Sequence, residues 1–137
     1  MRQSGTNSRP AVLFLCVHNA GRSQMAAGWL RHLSAGKVDV YSAGSEPASS
    51  VNNVAVAAMN EVGIDIANEK PKLFDIATAK VADVVVTMGC GDTCPIFPGK
   101  RYEDWALDDP AGQGLEAVRP IRDTIRAHVE KLLAELI

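Results

Sequence analysis

The sequence lacks the features that mark membrane, secreted or nucleic-acid-binding proteins. No apolar run approaches the roughly 20 residues that a helix needs to cross a bilayer, and the polar stretch at residues 1–10 has no signal-peptide core. The 14 basic residues against 16 acidic residues leave a net charge of -2, which gives no support to nucleic-acid binding. We therefore expect a cytoplasmic protein that binds neither membrane nor nucleic acid.

Cysteine is also scarce, with three residues in a chain of 137. An odd number of cysteines in a reducing compartment argues against a disulfide framework as the source of stability. A chain of this length buries enough surface to fold without crosslinks. We predict a flexible arm at residues 1–10 and a single domain over residues 11–137, in which each thiol is either buried or reactive.

Short apolar runs alternate with helical patterns along the chain. Strands are predicted at residues 11–15, 38–44, 83–88 and 101–107. Helices are predicted from Ser23 to near Gly36, from about Asn53 to a cap at Gly63, and at the C-terminal end. A short helix within 72–80 is left open, as is the first turn of the last helix, which contains Pro120. Connections too long for hairpins imply an α/β fold, a four-stranded parallel sheet with helices on both faces.

The candidate catalytic and binding residues lie at the ends of the predicted strands or directly after them. Ligands of such sheets bind at the carboxyl ends of the strands. The residues at these ends are Cys16 after the first strand, Ser42 in the second, Cys90 and Cys94 after the third, and Asp108 and Asp109 after the fourth.

The stretch after the first strand, "CVHNAGRS", has the composition of an oxyanion-binding loop. Its backbone N–H groups and the N-terminus of the following helix suit a tetrahedral anion, and Arg22 offers two parallel donors. The same positive field favours the thiolate of Cys16. The predicted anion-binding residues are Val17, His18, Asn19, Ala20, Gly21, Arg22 and Ser23. A buried thiol followed by a chance arginine is the alternative interpretation.

Four segments resemble the low-molecular-weight protein tyrosine phosphatase superfamily, and within it the bacterial arsenate reductases. They are "CVHNAGRSQMA", "YSAG", "VVVTMGCGDTCP" and "WALDDPAGQG", in the family's order from Val12 onward. The resemblance implies a low-molecular-weight phosphatase-like fold with Cys16 as nucleophile, Ser42 in support and Asp109, directly before Pro110, as general acid. His18 departs from the family, which usually has glycine there; it either adds a cation beside the anion or points away from it.

The choice between reductase and phosphatase depends on residues outside the loop. Ala111, Gly112 and Gln113 follow Pro110, where a phosphatase typically has aromatic residues for an aryl substrate. Cys90 and Cys94 are spaced closely enough to form a disulfide if their segment is helical. The resemblance then implies a thiol relay from Cys16 through Cys90 to Cys94, which favours arsenate reduction.

Several alternatives stay open at this stage. A small phosphatase, an arsenate–mycothiol transferase and an oxyanion-binding module without turnover are the competing functions. We expect no bound cofactor or metal, since two cysteines without a nearby histidine pair are poor zinc evidence. The external reductant is then thioredoxin or, alternatively, mycothiol with mycoredoxin, and the protein is expected to be a monomer. His32 and His128 are expected to be solvated surface residues.

Overall fold

The computed structural model of the protein describes residues 9–89 and 100–137. Over these residues the elements run in the order β1 (Ala11–Cys16), α1 (Arg22–Ser34), β2 (Asp39–Gly44), α2 (Asn53–Asn60), α3 (Ile76–Val81), β3 (Val84–Thr87), β4 (Arg101–Asp104) and α4 (Leu115–Leu136). Most of the predicted N-terminal arm, together with Cys90 and Cys94, lies outside the described residues. No helix of the described ranges is long and apolar enough to span a membrane.

The strands form one parallel sheet in the order β2-β1-β3-β4. Strand β1 is buried along its whole length, because it has a neighbouring strand on each side and helices above and below. Its alternate residues therefore enter two different cores. The predicted parallel sheet with helices on both faces is confirmed.

The two cores differ in size. Phe14 of β1 lies in the larger one, which is formed with α1, α2 and α4 and includes Met25, Met59, Ile125 and Leu132. The smaller core on the opposite face comprises Leu13, Leu15, Ala43, Ala79, Ala82 and Val85. Helix α3 covers this face, and Lys100 Nζ donates to the carbonyls of Lys80 and Ala82 at the end of that helix. Both faces of β1 are thus closed to water.

Several predicted strand and helix boundaries differ from the observed ones by one or two residues, and the end of β4 differs by three. Strand β4 was expected to extend to residue 107 but ends at Asp104, because its partner β3 ends at Thr87, opposite Asp104. Helix α4 begins at Leu115, five residues before Pro120, so the proline lies inside the helix and withholds one N–H from it.

The helix cap predicted at Gly63 is confirmed. Gly63 has a φ of 80°, and the N–H groups of Gly63 and Ile64 donate to the carbonyls of Asn60 and Met59. This is the pair of hydrogen bonds that closes a helix through a left-handed residue. The short helix within 72–80 is also present, although it begins only at Ile76 after a cap from the Asp75 side chain.

Chain order in the sheet determines where a ligand can bind. From β1 the chain moves to β2 on one side and later to β3 on the other, so the helices diverge at the carboxyl end of β1. A crevice forms at such a reversal in open parallel sheets. Cys16 is the last residue of β1 and therefore lies at this crevice.

Candidate active site

Residues 17–21 form a tight loop between Cys16 and α1. Asn19 adopts a left-handed φ of 50°, a conformation that asparagine tolerates better than most residues. Gly44 at the end of β2 allows the loop to approach closely, since a Cβ on Gly44 would lie 2.5 Å from the carbonyl oxygen of Val17. The loop is therefore closed against the neighbouring strand.

The connection between β2 and α2 forms the outer wall of this loop. The N–H groups of Glu46, Ala48 and Asn52 donate to the carbonyls of Val17, His18 and Ala20 at 2.8, 2.9 and 2.8 Å. These three carbonyls are thereby turned toward residues 46–52. Since a carbonyl near an anion would repel it, this arrangement suits the loop to bind negative charge.

Cys16 is 3% exposed, and two polar groups contact its sulfur. Ser23 Oγ lies 2.9 Å from Cys16 Sγ, and the backbone N–H of Asn19 donates to the same sulfur over 3.2 Å. Ser23 is also in the first turn of α1, where the helix dipole adds positive charge.

The direction of the Ser23 hydrogen bond follows from its neighbours. The Lys72 backbone N–H, which can only donate, lies 2.8 Å from Asn19 Oδ1, so the Asn19 amide nitrogen faces Ser23 Oγ at 2.7 Å. Because Ser23 Oγ accepts that N–H, its own hydrogen is available to Cys16 Sγ. The sulfur then accepts two hydrogen bonds, one from the Ser23 hydroxyl and one from the Asn19 N–H.

Arg22 lies across the mouth of the loop with its side chain 11% exposed. Its Nη1 donates to the carbonyl of Leu107 at 3.3 Å, and a Cβ on Gly89 would lie 2.4 Å from the same nitrogen. The guanidinium is thus held between the ends of β3 and β4. Arg22 lines the same pocket as Cys16.

Asp109 faces the pocket from the loop that follows β4. Its Oδ2 lies 3.7 Å from Arg22 Nη2, and its side chain is 54% exposed. Its Oδ1 accepts from the N–H of Ala111 at 2.9 Å, and the ring of Pro110 contacts Gly21, where a Cβ would be 2.6 Å from Pro110 Cγ. Asp109 lines the same pocket as Cys16, whereas Asp108 lines a separate one beside α4.

Trp105 anchors the start of the loop that carries Asp108 and Asp109. We define residues 105–111 as the acid loop, named for these two aspartic acid residues. The Trp105 ring is buried, lies 5.8 Å from the Phe14 ring and stacks on His128 of α4 at 4.8 Å. Its Nε1 donates to Glu103 Oε1. His128 is half-buried in this contact, so its expected place as a solvated residue is wrong, whereas His32 is exposed as predicted.

The remaining predicted residues are divided between the pocket and its surroundings. His18 is exposed and lines the pocket with Cys16 and Arg22. Ser42 is buried at the end of β2, and its hydroxyl has no hydrogen-bond partner among residues 9–89 and 100–137. Cys90 and Cys94 lie outside the described residues. Over the described ranges, no cluster of three or more His, Cys, Asp or Glu residues could hold a metal.

Sequence reasoning missed Asn52 and Gln24. Asn52 lines the pocket, and its Oδ1 caps α2 by accepting from the N–H groups of Val54 and Ala55. An asparagine directly before a predicted helix is a recognisable cap signal, but its place in the pocket depends on folding. Gln24 is fully buried behind the loop, and an isolated glutamine in a helix carries no such signal.

Comparison with known proteins gives a consistent set of relatives. The family model described as low molecular weight phosphotyrosine protein phosphatase matches residues 11–137. A glutaredoxin arsenate reductase of Synechocystis is 41% identical over 128 residues, 91% of this chain and 97% of that protein. An arsenate reductase of Staphylococcus xylosus is 41% identical over 125 residues, 89% of this chain and 95% of that one.

Two solved structures show the same fold. The thioredoxin-dependent arsenate reductase of Corynebacterium glutamicum matches with a TM-score of 0.80 and 39% identity, over 93% of this chain and 61% of that longer chain. A low molecular weight protein tyrosine phosphatase from T. tengcongensis matches with a TM-score of 0.84 and 25% identity, over 93% and 100% of the two chains.

Proposed function

We propose that this chain, which belongs to the low molecular weight phosphotyrosine protein phosphatase family, is an arsenate reductase. The observation that carries the proposal is the pocket shared by Cys16, Arg22 and Asp109. A thiol, an anion-binding guanidinium and an exposed carboxyl face one another there. Arsenate reductases about 40% identical over nine tenths of the chain support the same activity.

The first step forms a covalent bond between sulfur and arsenic. The Cys16 thiolate attacks arsenate held by the loop N–H groups and Arg22, and an arsenate oxygen leaves as water after Asp109 gives it a proton. The arsenic is still As(V) at this stage. Asp109 is suited to the role because it lies at the open side of the pocket.

The second step transfers two electrons. The Cys90 thiolate attacks Cys16 Sγ, the sulfur–arsenic bond breaks, and its electron pair leaves with arsenic as arsenite, As(III). Cys94 then attacks Cys90, which releases the Cys16 thiolate and leaves a Cys90–Cys94 disulfide. One arsenate and two thiols thus give one arsenite, one disulfide and water. Thioredoxin, or a similar dithiol, reduces that disulfide.

The pocket lining favours a small inorganic anion over an aryl phosphate. None of its lining residues among those the structure describes is Phe, Tyr or Trp, so the described part of the lining offers no flat apolar wall for an aromatic ring. A phosphatase would also need only water to complete its cycle, without Cys90 and Cys94.

Thiol counting by mass after one equivalent of arsenate tests the proposal. The reduced protein should lose two thiols and release one arsenite, with the disulfide mapped to Cys90 and Cys94; a Cys16→Ser variant should lose none. If no thiol is lost until mycothiol is added, the relay is wrong and arsenic passes to a small thiol. If a Cys90→Ser/Cys94→Ser variant still hydrolyses aryl phosphate while arsenate has no effect on the wild type, the protein is a phosphatase.

A further inference from the structure

Gln24 is a polar residue in the most buried part of α1. It is the third residue of the helix and is fully buried, as are the next three residues, Met25, Ala26 and Ala27. Polar side chains at such positions are retained only where they make hydrogen bonds. All the hydrogen bonds of the Gln24 side chain go to the anion-binding loop and to the segment beside it.

The Gln24 amide nitrogen contacts three acceptors. Its Nε2 lies 3.1 Å from the Asn19 carbonyl oxygen, 3.2 Å from Asn19 Oδ1 and 3.4 Å from the Lys70 carbonyl oxygen. The first and last can only accept, and Asn19 Oδ1 already accepts from the Lys72 N–H. The nitrogen of the Gln24 amide, and not its oxygen, must therefore face the loop.

These contacts hold Asn19 from two sides. Gln24 binds the carbonyl of Asn19, whose backbone is in the left-handed conformation, and also ties residue 70 to the loop. Residue 72 of that same segment supplies the N–H that orients the Asn19 amide. The Asn19 amide in turn directs the Ser23 hydroxyl toward Cys16 Sγ.

The Gln24 amide is oriented for its nitrogen and not for its oxygen. Its Oε1 is buried and accepts no hydrogen bond from the part of the chain that the structure describes. A buried polar atom without a partner costs free energy of folding. An apolar side chain of the same length would avoid that cost, but it would leave the Asn19 and Lys70 carbonyls without the Gln24 donor.

We propose that Gln24 is a positioning residue for the nucleophile: its amide nitrogen holds Asn19 in place, so that the Ser23 hydroxyl donates to Cys16 Sγ. The inference rests on the proposed role of Cys16 as nucleophile. It does not depend on arsenate being the substrate, because a phosphatase reaction at this site would use the same cysteine as nucleophile.

Replacing Gln24 with methionine tests this role. Gln24→Met keeps the length and burial of the side chain and removes both N–H donors. The rate of Cys16 alkylation by iodoacetamide, followed by peptide mass mapping between pH 4 and 9, reports the reactivity of this sulfur without any substrate. We expect the alkylation profile of the variant to lie at higher pH than that of the wild type, because the Ser23 donor to the sulfur is no longer held in place. With arsenate, kcat should fall where Cys16 is no longer fully ionised, and raising the pH should restore it.

Trp29→Phe is the matched control in the same helix. Trp29 Nε1 donates to the Arg122 carbonyl at 3.2 Å, so this variant also loses one buried hydrogen bond of α1 but none at the loop. It should lower Tm comparably and leave the alkylation midpoint unchanged. An unchanged midpoint in Gln24→Met, or an equal shift in Trp29→Phe, would overturn the proposal.

Side-chain NMR of the wild-type protein gives a second test, which can be used even if Gln24→Met does not fold. The Gln24 and Asn19 side-chain amide resonances should shift with an inflection at the pH where Cys16 titrates, while the Trp29 indole resonance should not. Gln24 and Asn19 resonances that stay constant through that titration would rule the proposal out. Because neither readout uses arsenate, failure of the reductase proposal would be seen separately.

Discussion

The two sides of the pocket are built in opposite ways. On the side of the proposed nucleophile, Cys16, Asn19 and Ser23 are buried and joined by hydrogen bonds of 2.7 to 3.2 Å. On the side of the proposed general acid, Asp109 is half-exposed and holds its place through one turn contact and a 3.7 Å approach to Arg22. The proposed nucleophile therefore has fixed hydrogen-bond partners, whereas the position of the proposed acid depends on where its loop lies.

This difference suits the chemistry of each group. A thiolate needs fixed donors that stabilise its charge at all times. A general acid must release a proton during the reaction and regain it from water, which exposure permits. Changes on the two sides should consequently separate in their effects on thiol reactivity and on turnover.

Removing the proposed general acid, Asp109, should have the largest effect of these changes. The effect should be confined to turnover. Asp109→Asn should lower kcat for arsenate by roughly 100- to 10,000-fold, the usual contribution of a general acid. The alkylation rate of Cys16 should change little, because Asp109 makes none of the contacts to its sulfur. Parallel stopped-flow turnover and alkylation measurements check this. A large change in alkylation would mean that the two sides are not independent.

A substitution where the two sides touch should have the next largest effect. Gly21→Ala places a Cβ 2.6 Å from Pro110 Cγ, so the acid loop and residue 21 must shift relative to each other. We expect kcat to fall by about tenfold, since small misplacements of a reacting group are costly. Gly114→Ala is the control, because a Cβ there meets nothing within 4 Å. Equal kcat values for the two variants would contradict the contact.

The anchor of the acid loop should give a smaller effect. His128→Ala removes the ring stacked on Trp105 at 4.8 Å, which should cost about 1 kcal/mol of unfolding free energy. Turnover should fall a few-fold, and His128→Phe should recover both because it keeps the stack. Urea unfolding and steady-state kinetics measure the two quantities. Recovery of stability without recovery of turnover would separate the stack from the acid.

A charged contact remote from both sides should affect stability only. Hydrogen bonds from Arg119, the larger cause, and from Arg122 lower the pKa of Glu61 to about 2. Because the folded pKa is lower than the unfolded value of 4.5, the contact stabilises the fold at neutral pH and fades as pH falls from 4.5 toward 2. Glu61→Gln should lower Tm at pH 7, and the difference from wild type should shrink below pH 4.5, with kcat unchanged. A difference independent of pH would contradict the role of ionised Glu61.

Much of the fold could be predicted from the sequence, because it depends on local patterns. Runs such as "AVLFL" are apolar on both faces, as buried parallel strands are. Gly63 directly follows a helical pattern, and a glycine at such a position predicts the C-terminal cap of the helix. The ends of β4 and α4 could not be predicted equally well. The length of β4 is limited by its partner β3, and tertiary packing lets α4 include Pro120.

The residues of the site also differ in how well they could be predicted from the sequence. The loop at residues 16–23 and the "DDP" segment are each contiguous, so their residues could be named from the sequence. Gln24 and Asn52 could not be assigned, because Asn52 joins a pocket formed only on folding and Gln24 contacts a segment that includes Lys70, far away in the chain. The stacking of His128 on Trp105 is of the same kind, since 22 residues separate two rings that the fold brings together.

The contact from residue 72 to Asn19 is made by a peptide N–H and not by a side chain. The site therefore does not constrain which side chain residue 72 carries. It requires only that this residue has a backbone N–H. In a saturation library selected for growth on arsenate, position 72 should tolerate many amino acids and exclude proline. Sequence variability at this position would therefore hide a requirement of the site.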